Sequence, residues 1–499
     1  MHVTFLPGGK RVETDGKETI LDAARKAGIA LPSACGGHGL CGKCKVRIEG
    51  AYKTKAMADQ QGVCLACRTY ALSDVTVHAP ETAGVSKILA ELDRFESIEP
   101  VGAGLGLAVD LGTTTIVASL VDLKTGDVIA SASDYNRQMQ YGDDVLSRIL
   151  HAKKDLAGLR DAATGTIKSL VGRMNAEDAS HVIVSGNTTM IYLLLGMDPE
   201  PIRKNDFPET RFSERDGNAI GLRAGTKLRC VPGVSAYVGG DVVSDIIASG
   251  MDRNKETTLL VDVGTNGEVV VGNKDWMMAC AASAGPAFEG GEVSCGARAV
   301  DGAIEMVKLR NDAFDVRTIG GKMPTGICGS GLIDLVAELF TNGIVDRAGN
   351  VNASPVVCNK SVIVADGIAV HQDEIKSIIR SKAAIYAAIT TLMRKAEISF
   401  DDLHAIIVCG GFGHYLNATN AKAIGMFPDV DDSKFQFMGN ASLKGAIKML
   451  LDKKLIARSE ELSRSVTYVN LSSDTDFMDE YTAALFLPHT DASRFRSSA

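Results

Sequence analysis

The stretch VDLGTTTIVASLVD, residues 109–122, runs an apolar strand into an acidic residue, a glycine and three threonines, then resumes as a second apolar strand. Such a hairpin suits a phosphate. Gly112 lets the backbone approach, the hydroxyls and N–H groups of Thr113 and Thr114 cradle oxygens, and Asp110 holds a hydrated Mg²⁺ beside them. Taken alone, the same residues also make an ordinary polar turn. The pattern returns at residues 261–273, VDVGTNGEVVVGN, where Asp262, Gly264, Thr265, Asn266 and Gly267 repeat it. Two such hairpins facing each other across a cleft clamp a triphosphate from both sides, and their repetition marks a duplicated domain. The chain has no GxxxxGK[ST] motif, which excludes a P-loop ATPase.

Outward from the hairpins, the apolar runs LGLAVDLG (105–112), SHVIVSG (180–186), TLLVDVG (258–264) and HAIIVCGG (404–411) alternate with helical segments. Residues 106–499 therefore read as an α/β domain of sheets covered by helices, in lobes of about 106–255 and 256–499. Residues 81–105 hold SKILAELDRF, a short helix, and then the Pro/Gly-rich EPVGAGLG, a linker between domains. Residues 1–80 read as an α+β unit of the β-grasp order. The strands VTFLPG and RVETDG flank the turn Pro7-Gly8-Gly9, and the helix ETILDAARKAG lines up Ile20, Ala23, Ala24 and Ala27 before Gly28 ends it. The strands CKVRIEG and DVTVHAP complete the unit.

Five of the eleven cysteines lie in the first 67 residues, in SACGGHGLCGKCKVRIEG (33–50) and at Cys64 and Cys67. Clustering marks a site, whereas Cys230, Cys280, Cys295, Cys328, Cys358 and Cys409 share no ligand spacing and read as small buried residues. Cys41-x2-Cys44 and Cys64-x2-Cys67, 19 residues apart, fit the spacing of a four-cysteine zinc site. Cys35 is surplus to that reading, and Gly36, Gly37, Gly39 and Gly42 suit a loop that wraps a cluster and offers its N–H groups to the sulfides. The balance favours an iron–sulfur cluster over zinc.

The net charge of −8, with no basic run, argues against nucleic acid as a partner. No run of about 18 apolar residues and no signal-peptide order is present, so the expectation is a cytoplasmic protein without a membrane segment.

The order Cys-x5-Cys-x2-Cys followed by LAC, inside a β-grasp unit, resembles the [2Fe–2S] ferredoxins. That resemblance implies Cys35, Cys41, Cys44 and Cys67 as ligands; Cys64 is then a buried neighbour, a replacement ligand or the true fourth ligand. The remainder resembles the actin, sugar kinase and Hsp70 superfamily, which binds ATP between duplicated lobes. The resemblance makes the two hairpins its phosphate motifs and IVCGGFGHYLN (407–417) its adenosine motif, with Gly410, Gly411 and Gly413 against the nucleoside. GGDVVSDIIASG (239–250) and GNASLKGAIKML (439–450) become the connecting helices. SAGPAFEGGEVSCG and GICGSGLIDL read as tight helix entries, with Glu289 and Ser330 as further candidates for touching nucleotide or metal.

The whole chain resembles the reductive activators of corrinoid proteins, from the cysteine loop through SGNTTMIYLLLG and AGPAFEGG to YVNLSSDTDFMDEYTAALFLPH (468–489). What this implies is an ATP-hydrolysing iron–sulfur oxidoreductase with a [2Fe–2S] cluster, ATP and Mg²⁺. It would take single electrons from a low-potential donor and return the Co(II) corrinoid protein of a methyltransferase system to Co(I). Asp110 and Asp262 would organise Mg²⁺ and the attacking water. Longer relatives insert a middle domain, whereas only about 25 residues separate the two units here, which leaves a monomer or a homodimer open. Two alternatives remain: an ATP-driven reductase of another metalloenzyme, and a redox-responsive nucleotide-dependent sensor.

Overall fold

Strand His2–Leu6 buries Val3 and Phe5 and leaves the residues between them partly exposed, the alternation of a sheet with one face on a core. It pairs antiparallel with Lys10–Glu13 and parallel with Val75–His78, and Lys45–Glu49 and Val63–Leu65 extend the sheet beyond the latter. The helix Ile20–Lys26 starts at Thr19, whose hydroxyl and backbone exchange bonds with Asp22, and presses Ile20, Leu21, Ala23 and Ala24 into the core. Ala27 is the C-terminal cap of that helix. This is the expected β-grasp. The computed structural model describes residues 1–6, 8–27, 29, 31, 37, 39, 44–55, 63–78, 94–142, 144–204, 209–411 and 416–496. Pro7, Gly28, Cys35, His38, Cys41, Gly413 and most of the helix expected within 81–105 lie outside them.

The two hairpins are equivalent strand pairs, Leu105–Leu111 with Thr115–Asp122 and Thr258–Val263 with Gly267–Gly272. Each nucleates a six-stranded mixed sheet. In the first, Val128–Tyr135 continues the hairpin antiparallel while His181–Gly186 and Lys227–Cys230 run parallel on the other side. In the second, Met277–Ala282 continues the hairpin while Ala405–Cys409 and Phe435–Gly439 run parallel. The registers coincide: Asp110 lies beside Ser185 and Asp262 beside Cys409, each on the neighbouring parallel strand. The duplication read from the hairpins is thus a duplication of whole sheets.

Between the sheets lie two helices, Gly240–Ser249 and Ala441–Leu451, whose apolar faces join both lobes in one core with Ala108, Val117, Leu260 and Val270. They cross at Gly445, where a Cβ would sit 2.2 Å from the Ser244 carbonyl oxygen. Arg94 and Phe95, expected in a helix, instead bond to the turn after the first hairpin: Arg94 bridges Asp127 and Phe95 donates to the Gly126 carbonyl. Glu99 and Val101 bond to the end of the helix Ala441–Leu451, so the part of the expected linker that is described is docked on the two-lobed domain.

Candidate functional site

The turns of the two hairpins open onto one cavity of about 180 Å³. It brings together Asp110, Gly112, Thr113, Thr114, Asp262, Gly264, Thr265, Asn266, Gly410 and Gly411. Gly267 stands apart. It begins the second strand of its hairpin, buried, with a Cβ position 2.9 Å from Ile385, so its small size serves packing instead of lining the cavity. Gly410 has φ +104 and a Cβ there would strike the Val263 carbonyl at 2.3 Å, which only glycine accommodates. Ser330 also lies elsewhere, buried at a helix start and donating to the Glu305 carbonyl.

The first turn has its acceptors turned away from the cavity. The carbonyl of Gly112 accepts from Asn136 Nδ2 at 2.9 Å, that of Thr113 from the buried Arg148 at 2.6 Å, and that of Thr114 from Arg298 at 3.3 Å. The backbone carbonyls of the turn are therefore already engaged when an anion approaches its N–H groups. Behind it, Asp110 accepts from Asn440 Nδ2 at 2.8 Å and from Ser442 Oγ at 2.9 Å. Ser442 continues through Ser185 to Ser244, at 2.9 and 2.8 Å, tying both connecting helices to the first hairpin.

The cavity floor is a concentration of carboxylates that sequence patterns did not single out. Asp241 and Asp245 project from the helix Gly240–Ser249, and Glu268 from the second hairpin. Burial first, and the Asp110 charge second, push Asp262 up to about 6, while burial with the charges of Asp262 and Asp110 pushes Asp241 up to about 7. Burial also raises Glu268 and Asp110; the Asn440 and Ser442 donors offset part of the rise for Asp110. The fully buried Asp245 shares a hydrogen bond with Asp262, and burial first, with the Asp262 charge second, holds it well above the usual carboxylate range. Hard oxygen donors gathered at this density suit a divalent cation. Among the described residues no three His, Cys, Asp or Glu converge on a metal position by themselves, so a cation here shares its ligands with water and phosphate.

In the β-grasp unit, Cys44 precedes strand Lys45–Glu49 and Cys67 sits in the turn Ala66–Arg68. Their sulfurs are 3.3 Å apart. That is far beyond the ~2.05 Å of a disulfide and close to the ~3.8 Å between two thiolates on one tetrahedral metal with ~2.3 Å bonds. The Cys67 N–H points at the Cys44 sulfur at 3.5 Å, the kind of bond that stabilises a cluster thiolate. Cys64, two per cent exposed, instead turns its sulfur to the Val46 carbonyl at 3.7 Å inside the core. Gly39, at φ +74, lies under Arg68, whose Nε would be 1.9 Å from a Cβ. The pair Cys44 and Cys67 and the glycine cradle under Arg68 fit an iron–sulfur cluster.

Residues 4–72 match the 2Fe-2S iron-sulfur cluster binding domain, 105–254 the RACo middle region, and 256–499 the C-terminal domain of RACo, the ASKHA domain. A solved structure described as a reductive activator for corrinoid, iron-sulfur protein covers 99% of this chain and 100% of its own at 32% identity, with a TM-score of 0.76. The chain belongs to the reductive activators of corrinoid proteins. Within that family it is 26% identical to the corrinoid activation enzyme RamQ of Eubacterium limosum, over 96% of this chain and 98% of the relative. That alignment spans 590 positions against 499 residues here, so the relative carries stretches without a counterpart. The reductase of a Co(II) methylated amine-specific corrinoid protein from Methanosarcina barkeri is 23% identical over 74% of each chain. What the family calls its middle region is, in this activator, the first lobe of the cleft, directly after the joint. Among the described residues no helix is long and apolar enough to cross a membrane.

Proposed function

We propose that this activator uses ATP to drive single electrons from its ferredoxin-like domain onto a Co(II) corrinoid protein, restoring the Co(I) state. The observation that carries the reading is the pairing, in one chain, of two cysteine sulfurs 3.3 Å apart with two hairpin turns that open onto one cavity. Cys35, Cys41, Cys44 and Cys67 would hold a [2Fe–2S] cluster, which supplies one-electron chemistry at low potential. In the cleft, Thr113, Thr114, Thr265 and Asn266 would hold phosphates, Gly410, Gly411 and Gly413 would lie against the nucleoside, and Asp110 and Asp262 would orient Mg²⁺ and the attacking water.

Energies make the nucleotide necessary. Plant-type clusters lie near about −400 mV, the cobalt couple lies lower, and each 100 mV of uphill gap costs roughly 2.3 kcal/mol for one electron. A ligand that binds two lobe arrangements unequally supplies about 1–3 kcal/mol, which matches a gap of that order. The crossing at Gly445 is where the lobes would rock, and the rocking would change how the corrinoid partner docks. A low-potential donor reloads the cysteine site after each electron. The names of the family's relatives favour a corrinoid partner over another metalloenzyme or a sensor role. The test is ATP hydrolysis by the purified protein with and without a Co(II) corrinoid protein. Stimulation by the Co(II) form supports an activator, and hydrolysis indifferent to it contradicts one.

A further inference from the structure

The loop 283–299 carries two side chains that reach the opposite lobe. Glu289 Oε2 accepts from Thr114 Oγ1 at 3.1 Å and from Thr265 Oγ1 at 2.8 Å. One carboxylate oxygen thus takes a hydroxyl from each phosphate turn, at the place and with the donors expected to serve a phosphate oxygen. Further along the loop, the Arg298 guanidinium lies 3.7 Å from the centre of the Tyr135 ring and donates to the Thr114 carbonyl. The loop is folded tightly on itself. Gly291 N–H donates to the Pro286 carbonyl at 2.7 Å, and a Cβ on Gly290, which has φ +77, would meet Ala297 N at 2.7 Å. Glu289 and Arg298 are therefore two grips of one rigid piece. Tyr135 in turn lines a cavity between the first lobe and Leu21, Arg25, Ile29 and Leu31 of the ferredoxin-like domain.

We propose that Glu289 is an internal stand-in for the terminal phosphate of the nucleotide, holding the two lobes together until that phosphate displaces it, so that a triphosphate releases the contact, at a cost in its own affinity, and a diphosphate does not. The inference rests on the reading that the two turns hold phosphates. The two anions compete for the same pair of hydroxyls, and the carboxylate repels an incoming phosphate, so Glu289 in place lowers the affinity for any ligand that must replace it. A diphosphate, one phosphoryl group shorter, leaves the carboxylate where it is. Displacement moves Arg298 with the loop and alters its stacking on Tyr135, on the side of the lobe that faces the ferredoxin-like domain.

The experiment is calorimetric titration of the cluster-loaded full chain with a non-hydrolysable ATP analogue and with ADP, each with Mg²⁺, in wild type, Glu289→Ala and Glu289→Gln. The expected result is analogue binding at least about tenfold tighter in Glu289→Ala, with ADP affinity changed by less than about threefold. Glu289→Gln, which keeps size and one acceptor but loses the charge, falls between and decides the matter should the alanine variant lose its cluster spectrum. Unchanged or weaker analogue binding in the variants, with wild type binding normally, overturns the stand-in. Wild type that binds neither nucleotide removes the phosphate reading of the turns beneath it.

Discussion

Asn440 donates its side-chain amide to Asp110 at 2.8 Å, joining the start of the second connecting helix to the end of the first strand of the first hairpin, 330 residues earlier in the chain. The bond favours the ionised carboxylate that burial otherwise disfavours. Asn440→Ala is expected to raise the KM for Mg–ATP about tenfold, the loss of a hydrogen bond to a charged group. The cluster's visible spectrum should stay intact. Steady-state ATPase assays check this, and an unchanged KM would separate Asp110 from nucleotide handling.

The connecting helices touch through glycine. A Cβ at Gly445 meets the Ser244 carbonyl at 2.2 Å, and a backbone atom cannot swing aside. Gly445→Ala is expected to destabilise the chain by about 1–3 kcal/mol through overpacking, read by denaturant unfolding, and to reduce the effect of nucleotide on lobe closure in small-angle scattering. Native stability in that variant would mean that the helices slide apart freely.

The carboxylate floor predicts a pH dependence. Asp241 and Asp262 are raised to about 7 and about 6, so between about pH 4 and 7 the folded protein holds protons that the unfolded chain has released. The contribution of these groups to stability is full below the ordinary carboxylate range and is lost as pH rises through 6 to 7. Asp241→Asn should therefore raise the Tm of the nucleotide-free protein more at pH 8 than at pH 5, by roughly 1 °C for each kcal/mol of relieved charge in a domain of this size. Mg²⁺ should narrow the difference. Equal gains at both pH values would show that the cost is not one of ionisation.

Cys64 and Cys67, three residues apart, face different surroundings: the first bonds to Val46 inside the core and the second meets Cys44 at 3.3 Å. Cys67→Ser is expected to bleach or destabilise the cluster, and Cys64→Ser to leave its visible and electron-paramagnetic spectra unchanged. The opposite pattern would transfer the ligand role to Cys64.

Much of this was legible in the chain because the informative features are local. A strand ending in Asp, Gly and Thr announces its own turn, and its recurrence at Asp262 announces the second sheet. The cysteine spacing and the β-grasp order are likewise short-range. What stayed hidden depends on contacts between distant segments. Asn440 and Ser442 look like an ordinary helix start until the fold brings them to Asp110, and Asp241 and Asp245 look like the polar side of an amphipathic helix until both sheets bury that side. Gly267 misled for the converse reason: it continues the motif in sequence, but strand pairing with Ala282 begins there and turns it toward Ile385. Arg298 carried no signal in sequence, since its role rests on Tyr135, 163 positions away in the other lobe.

The central claim is that the nucleotide cleft drives the electron. The most direct measurement mixes the anaerobically reduced protein with a Co(II) corrinoid protein and follows the Co(I) absorbance band with and without Mg–ATP, in wild type and in Asp262→Ala. The account predicts a Co(I) band that grows only with ATP in wild type and is absent from the variant, whose cluster spectrum is unaltered. Co(I) formation at the same rate without ATP, or undiminished in Asp262→Ala, would contradict it.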